Sequence, residues 1–237
     1  MARESRRTPL TGSAFIRSLA ALSNVHAPAS QDDFAQRVTQ WFGWTHTFAL
    51  SAALSDAPSP ATEPGAAVRA SADTDERECA RVRAGLVALV TRTAAAAEPS
   101  ADFTVHRRRY IACQQAMESQ ISPLRRRLRA SLANGSPAQA KLAKLDSVME
   151  EVIGAQERML LTTVPGLLQP RFDQLRRAQG PAVQGDAAPQ APSPAGPWLD
   201  TFLQDMRALL LAELDLRLQA VEGLLAANRT PSSDRHE

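Results

Sequence analysis

Residues 102–161 constrain the fold more than any other stretch, because they are typical of two long helices joined by a very short turn. Apolar side chains recur at helical spacing over residues 103–132. Ser136 can cap the amino end of the second helix, and Pro137 suits its first position, where the missing N–H costs nothing. The turn at residues 134–135 leaves so few linking residues that we expect the two helices to lie antiparallel as neighbours.

The second helix of this hairpin carries a heptad-like pattern in which all residues but Gln156 are apolar. The members of the pattern, at alternating steps of three and four, are Leu142, Leu145, Met149, Val152, Gln156 and Met159. This spacing predicts a coiled-coil seam. Three further apolar residues widen the stripe: Val148, Ile153 and Leu160. A wide stripe favours a helical bundle as much as a two-helix seam.

Two local signals qualify the first helix of the hairpin. Pro123 lies inside the pattern and removes one backbone donor, so we expect a kink or a break there. Asn134 and Gly135 both tolerate left-handed backbone angles, so they predict the helix end.

The first helix also carries two arginine triplets. They are Arg107, Arg108, Arg109, Arg125, Arg126 and Arg127. Eighteen residues are five helical turns, so the triplets lie on one side of the helix. They could form a basic face for phosphate or an acidic partner, or simply a solvated face, which we favour. Folding about the turn places Asp146 near Arg125, and Glu157 near Arg109 and Cys113.

Composition limits the fold class and the function. Among 237 residues, aromatics make up 5% and hydrophobic residues 44%, a mix that favours packed helices over a sheet. The formal net charge of +2 indicates no strong bulk attraction to nucleic acid. No apolar run approaches the roughly 20 residues that a membrane-spanning helix needs. We expect a cytoplasmic protein whose two cysteines are reduced.

The search for catalytic chemistry is negative. The sequence contains no phosphate-binding loop, no dinucleotide-binding glycine pattern and no metal-ligand spacing, so it predicts no cofactor, no metal and no small-molecule substrate. Cys113, Tyr110 and His106 share a helix face and could be a nucleophile with its base. A small thiol in an apolar core is the better interpretation. We therefore do not predict an enzyme.

Composition shifts along the chain predict its organisation. We expect a disordered tail at 1–10, a helical pair at 11–56 and a proline- and alanine-rich disordered linker at 57–73. A central hairpin bundle follows at 74–178, with its first helix starting near residue 75. A second linker at 179–196, an amphipathic helix at 197–228 and a disordered tail at 229–237 complete the chain. The helix at 197–228 is so apolar that it must pack either on the hairpin or on another chain.

Trp41, Phe42 and Trp44 are unusual in a chain so poor in aromatic residues. They can anchor the amino-terminal helices to the hairpin or form a patch that docks a partner. We favour the core role.

Two segments carry a family resemblance. The first is the run Gln40-Trp41-Phe42-Gly43-Trp44-Thr45 with the following residues 49–54. The second is the run Arg107-Arg108-Arg109-Tyr110 with the Met117 helix. Both resemble a proteobacterial family of helical proteins that is a domain of unknown function. Its members are sometimes encoded beside envelope proteins with OmpA-like or motor-stator-like domains. The resemblance implies an accessory role in an envelope-linked assembly and assigns no functional residue.

These observations predict an all-α protein, an antiparallel helical hairpin or coiled coil within a bundle. The function is not determined by the sequence. The best prediction is a non-enzymatic scaffold or adaptor that binds a protein partner, or itself, through helix surfaces. Nucleic-acid binding through the arginine-rich face is the alternative, and an unrecognised enzyme would need a pocket with converging polar groups.

Overall fold

The computed structural model describes residues 13–23, 44–55, 66–95, 100–178 and 196–229. Their helices are α1 (Ala14–Ser23), α2 (Trp44–Ser55), α3 (Ala66–Ala95), α4 (Phe103–Ala133), α5 (Pro137–Leu161), α6 (Val164–Leu167), α7 (Gln169–Ala178) and α8 (Pro197–Arg229). These ranges contain no strand, so the all-α prediction is confirmed. The predicted tail 1–10, and most of the two predicted linkers and of the last tail, lie outside the described residues.

Helix α8 is the central element of the bundle. It packs against α3 and α4, and also against α1 and α7. Its buried apolar residues recur at steps of three and four along the helix: Leu199, Phe202, Met206, Leu209, Leu210, Leu214, Leu218, Val221 and Leu224. The last helix therefore packs on its own chain, since the apolar stripe predicted at 197–228 is covered by α3 and α4.

The central helices have defined directions. Phe103 meets Phe202 near the start of α4 and α8, and Glu118 meets Arg217 further along, so these two helices run parallel. Arg83 of α3 pairs with both Asp215 and Glu222. Asp75, eight residues earlier in α3, accepts a hydrogen bond from Asn228, which lies after Asp215 and Glu222 in α8. Helix α3 therefore runs antiparallel to α8.

A compact turn joins α4 to α5. Asp102 caps α4 and Ser136 caps α5, where Gln139 completes a capping box. The expected left-handed angles are absent, since Asn134 has φ −94° and Gly135 is not in the left-handed region either. A Cβ at Gly135 would come within 2.2 Å of Oε1 of Gln139, so a larger residue there would displace the Gln139 side chain.

Two helix boundaries differ from the expectation. Helix α4 continues through Pro123, so the chain has no break there. Helix α3 begins at Ala66, within the stretch 57–73 that the sequence predicts as a linker. Four of the first seven residues of α3 are alanine, the residue with the highest helix propensity, which explains the earlier start.

The apolar stripe of α5 does not face the main core. We call it the outer apolar face: Leu142, Leu145, Met149, Val152, Ile153, Met159 and Leu160. Only Val152 is buried, outside the main core, while Met159 and Leu160 are 58% and 56% exposed. Helix α5 instead turns Ala143, Asp146 and Leu161 toward α4. The predicted seam is therefore not the contact that joins the two helices, and the coiled coil stays a prediction.

Helix α2 covers part of the outer apolar face. It runs antiparallel to α5, since His46 lies 3.7 Å from Glu151 and Lys141 donates to the carbonyl of Leu54 at the other end. Ala53 is its buried residue, and it lies outside the main core. Helix α1 packs instead against α8 and α7. The two described helices from 11–56 thus contact different parts of the bundle.

Candidate interaction site

A buried carboxylate links α4 to α8. Glu213 has no solvent exposure. It accepts hydrogen bonds from Tyr110 at 2.8 Å and from Gln114 at 3.0 Å, and it pairs with Arg217 at 2.9 Å. Gln114 also donates to the carbonyl of Leu161, which ties the end of α5 to the same point. The buried polar groups satisfy one another, as buried charge requires.

The polar network continues to the surface. Arg217 donates to Glu118 at 3.1 Å, and Arg158 of α5 lies 4.0 Å from the same carboxylate. Ser122 donates to Glu118 as well. Helices α4, α5 and α8 are thus joined by one chain of hydrogen bonds and ion pairs that runs from the core to solvent.

A second ion-pair network joins α4 to α5. Arg125 donates to Asp146 at 2.6 Å and lies 3.8 Å from Glu150. Arg129 pairs with Asp146 at 3.3 Å and also with Glu150. The four side chains are between 12% and 21% exposed, so solvent screens them less than a surface pair. The expected proximity of Arg125 and Asp146 is confirmed.

A small cleft with a cavity volume of about 40 Å³ lies where α4, α5 and α8 meet, and we call it the glutamate cleft. Glu118, Glu157, Arg158 and Arg217 line it. Burial raises the pKa of the Glu157 carboxyl, although Arg217 and Arg125 oppose the rise. Within the described residues Glu157 makes no hydrogen bond or ion pair.

The position of Glu157 differs from the expectation. It lies beside Glu118 and Ile121 and not beside Arg109 and Cys113. Counting equal numbers of residues back from the turn does not give the right neighbours at this end of α5. Here Gln114 donates a hydrogen bond to the carbonyl of Leu161.

The predicted basic face is only partly basic in the structure. Arg125 is neutralised by Asp146, and Arg127 donates twice to one oxygen of the buried Asp75 at 2.8 and 3.0 Å. Arg107, Arg108 and Arg126 are exposed, and Arg109 is half-buried. Two of the three arginines of the second triplet are thus engaged by carboxylates of the bundle, and nothing in the described residues favours nucleic-acid binding.

The predicted aromatic patch is described only in part. Trp41 and Phe42 lie outside the described residues, and Trp44 is the first residue of α2. The described residues contain a different aromatic cluster. In it the ring centroid of Phe172 lies within 5.5 Å of the ring centroids of Phe103, Trp198 and Phe202. These four rings come from α4, α7 and α8, so no local sequence pattern joins them.

Among the described residues, Cys113, Tyr110 and His106 make no hydrogen bond to one another. Cys113 is buried near Thr93, and burial raises the pKa of its thiol. Tyr110 donates to Glu213; burial and that carboxylate raise the pKa of its hydroxyl far above the usual range. His106 donates from Nε2 to the carbonyl of Ser100, 2.8 Å away. The three side chains thus have separate partners.

His106 is buried among aromatic rings. Its ring centroid lies 5.6 Å from that of Phe172 and 5.4 Å from that of Phe202. Its Nδ1 atom is buried and has no hydrogen-bond partner among the described residues. Burial lowers the pKa of the imidazole, so the neutral ring is favoured.

Metal-ligand groups and membrane-spanning helices are absent from the ranges that the structure describes. No group of three histidine, cysteine or acidic side chains there could hold a metal ion. No helix in those ranges combines the length and the apolar character needed to cross a bilayer.

A family model described as a protein of unknown function, DUF3348, matches residues 1–230. The chain belongs to this family. The predicted resemblance to a domain of unknown function is therefore confirmed. No curated protein and no solved structure matches the chain. Membership of DUF3348 identifies no reaction and no partner for this protein.

Sequence reasoning missed the polar network of this DUF3348 protein. Glu213 and Arg217 lie within the apolar stripe of α8, three and seven residues after Leu210. A charged pair on an apolar stripe signals buried partners. The partners themselves, Tyr110 and Gln114, give no such signal, because they are about a hundred residues away in the chain.

Proposed function

We propose that this protein is a non-enzymatic scaffold or adaptor that binds a partner protein through its helix surfaces. The observation that carries the proposal is the outer apolar face of α5. An amphipathic helix normally turns its apolar stripe inward, but here Leu142, Met159 and Leu160 are 37%, 58% and 56% exposed. Exposed apolar patches of this kind mark sites of protein association.

Helix α2 adds to the same surface. Phe48 is 76% exposed and Leu54 53% exposed, although α2 lies directly on α5. Exposed aromatic, leucine and methionine side chains on two packed helices are typical of an interface. The surface therefore extends over both helices.

The proposal includes the cytoplasm as location and an envelope-linked assembly as context. Both rest on the sequence: the first on its composition and the second on the resemblance described above. Fractionation of host cells that express the tagged chain checks this part. Recovery with the cytosol or with envelope proteins supports it, and secretion of the chain contradicts it.

Affinity capture with surface variants tests the main proposal. The tagged wild-type chain is compared with Leu160→Ser and Phe48→Ser, both at exposed positions that leave the core intact. We expect a partner that survives nuclease treatment and that both variants lose. Gln115→Ala and Ser119→Ala, on the exposed side of α4, serve as matched controls.

The outcomes separate the alternatives. A partner retained by both variants contradicts the assignment of the surface. Material that disappears on nuclease treatment, and that Arg107→Glu also abolishes, supports the nucleic-acid alternative instead. Self-association measured by light scattering, lost in Leu160→Ser, identifies a second copy of the chain as the partner.

A further inference from the structure

The glutamate cleft contains one carboxylate without a counter-ion. Glu118 pairs with Arg217, Glu150 with Arg129, and Glu213 with Arg217. Glu157 alone among the acidic side chains of the cleft has no such partner in the described residues. A partly desolvated charge without a partner destabilises the free protein.

The charge balance of the cleft supports this observation. Three carboxylates line the cleft, and two more pair with the arginines that line it. The five are Glu118, Glu150, Glu157, Asp146 and Glu213. The guanidinium groups that they face are four: Arg125, Arg129, Arg158 and Arg217. One negative charge is therefore left over, and the contacts assign it to Glu157.

Apolar surface adjoins this carboxylate. A three-residue step along a helix leaves two side chains about 60° apart. Leu160 therefore lies next to Glu157 on the surface of α5, and it is 56% exposed. Ile153, one turn earlier, lies on the same side. The uncovered edge of the outer apolar face thus borders the glutamate cleft.

We propose that the glutamate cleft receives one basic side chain, arginine or lysine, from the partner protein, with Glu157 as its counter-ion and Leu160 as the flanking apolar contact. The inference rests on the proposed function and names the chemistry of the partner. An anion is disfavoured, because the nearby Arg217 and Arg125 already serve carboxylates. Charge complementarity therefore selects a cation.

The space in the cleft agrees with this occupant. Gly154 lies in the wall, where a Cβ atom would come within 3.3 Å of Nη1 of Arg158 and 3.5 Å of Cγ of Glu150. Glycine at this position leaves room between the two charged side chains. The charged end of a basic side chain can enter such a gap, while its methylene groups stay outside and contact Leu160.

A carboxyl titration of the full chain tests the cleft without the partner. The pKa of Glu157 is followed by carbon NMR, with its signal assigned by its absence in Glu157→Gln. The probe is Nα-acetyl-arginine amide, and the control is the neutral, isosteric Nα-acetyl-citrulline amide. We expect the arginine probe to lower the pKa of Glu157 and the citrulline probe to leave it unchanged. Equal effects of the two probes at tens of millimolar overturn the inference.

The partner provides the second arm of the test. We expect Glu157→Gln to weaken capture of the partner about tenfold, the loss of one favourable charge pair at an interface. Asp200→Asn, at an exposed carboxylate near the start of α8, is the control and leaves capture unchanged.

The two proposals fail in different ways. If the wild-type chain captures nothing, the proposed function fails, and the probe titration still decides the chemistry of the cleft. If Leu160→Ser loses the partner while Glu157→Gln keeps it at full affinity, the proposed function stands and this inference is wrong.

Discussion

Tyr110 and Glu213 connect the two central helices across 103 positions of the chain, with the tyrosine hydroxyl 2.8 Å from a carboxylate oxygen. The carboxylate has no contact with solvent, and Arg217 and Gln114 complete its shell. The pair fixes the parallel register of α4 and α8, because a shift of either helix would leave a charge buried without a partner.

Removal of this carboxylate should be severe. We expect Glu213→Ala to lower the free energy of unfolding by about 3–5 kcal/mol, since Arg217 keeps a buried charge and Tyr110 loses its acceptor. Tyr110→Phe should cost only about 1 kcal/mol, because Glu213 keeps its other two partners. Urea unfolding followed by circular dichroism measures both. Glu222→Ala, at an exposed carboxylate, is the control; an equal loss there would contradict the prediction.

Two neighbouring arginines should behave differently. Arg127 holds the buried carboxylate of Asp75, which also accepts from Asn228 at 3.3 Å. We expect Arg127→Ala to lower the free energy of unfolding by about 1–3 kcal/mol. Arg126→Ala, one residue away and exposed, should change it by less than about 0.5 kcal/mol. Thermal unfolding of the two variants side by side decides the matter, and equal midpoints would refute the role of Asp75.

The turn between α4 and α5 offers a double-mutant cycle. A Cβ at Gly135 would displace the side chain of Gln139, which bonds to the Ser136 amide and to the carbonyl of Ala227. We expect Gly135→Ala to cost about 1 kcal/mol, the usual value of a helix cap. If loss of that cap is the cause, the cost should largely vanish in the Gln139→Ala background. Additive costs would point instead to the contact of the new Cβ with the carbonyl oxygen of Leu132, 3.2 Å away.

His106 should make stability depend on pH. Burial holds the pKa of the folded imidazole below its ordinary value of 6.5. Between the folded pKa and 6.5 the unfolded chain binds more protons, so stability rises with pH there and is lost as pH falls. We expect His106→Gln to reduce this dependence. Arg109 and Asp102, whose charges also act on the imidazole, are kept in the variant. Unfolding free energies from pH 7 to 5, wild type minus variant, provide the measurement; a constant difference would contradict it.

Much of the secondary structure could be predicted, because its signals are local. The cap at Ser136, the proline after it and the apolar spacing of α4 all lie within a few residues of the feature that they predict. The small core thiol at Cys113 follows from its apolar neighbours in the same way. Helix α4 has no break at Pro123, because its packing against α3, α5 and α8 outweighs one lost hydrogen bond.

The packing arrangement and the candidate site were harder to predict. The side to which an apolar stripe faces depends on the neighbouring helices. Helix α5 presents Asp146 and Glu150 to the arginines of α4, and Leu142 and Leu160 consequently face outward. The glutamate cleft combines side chains that lie up to 99 residues apart. A single sequence indicates which charges exist, but not which of them remain without a partner once the helices pack.

The central position of α8 also determines when the chain can become stable during its synthesis. Tyr110, Met117 and Leu128 of α4 lie in the same core as α8. A ribosome adds about 5–20 residues per second, so the 103 positions between Tyr110 and Glu213 correspond to roughly 5–20 s. During that interval the emerging helices present an uncovered apolar surface, and a chaperone that binds apolar segments has time to act on the nascent chain before α8 closes the bundle.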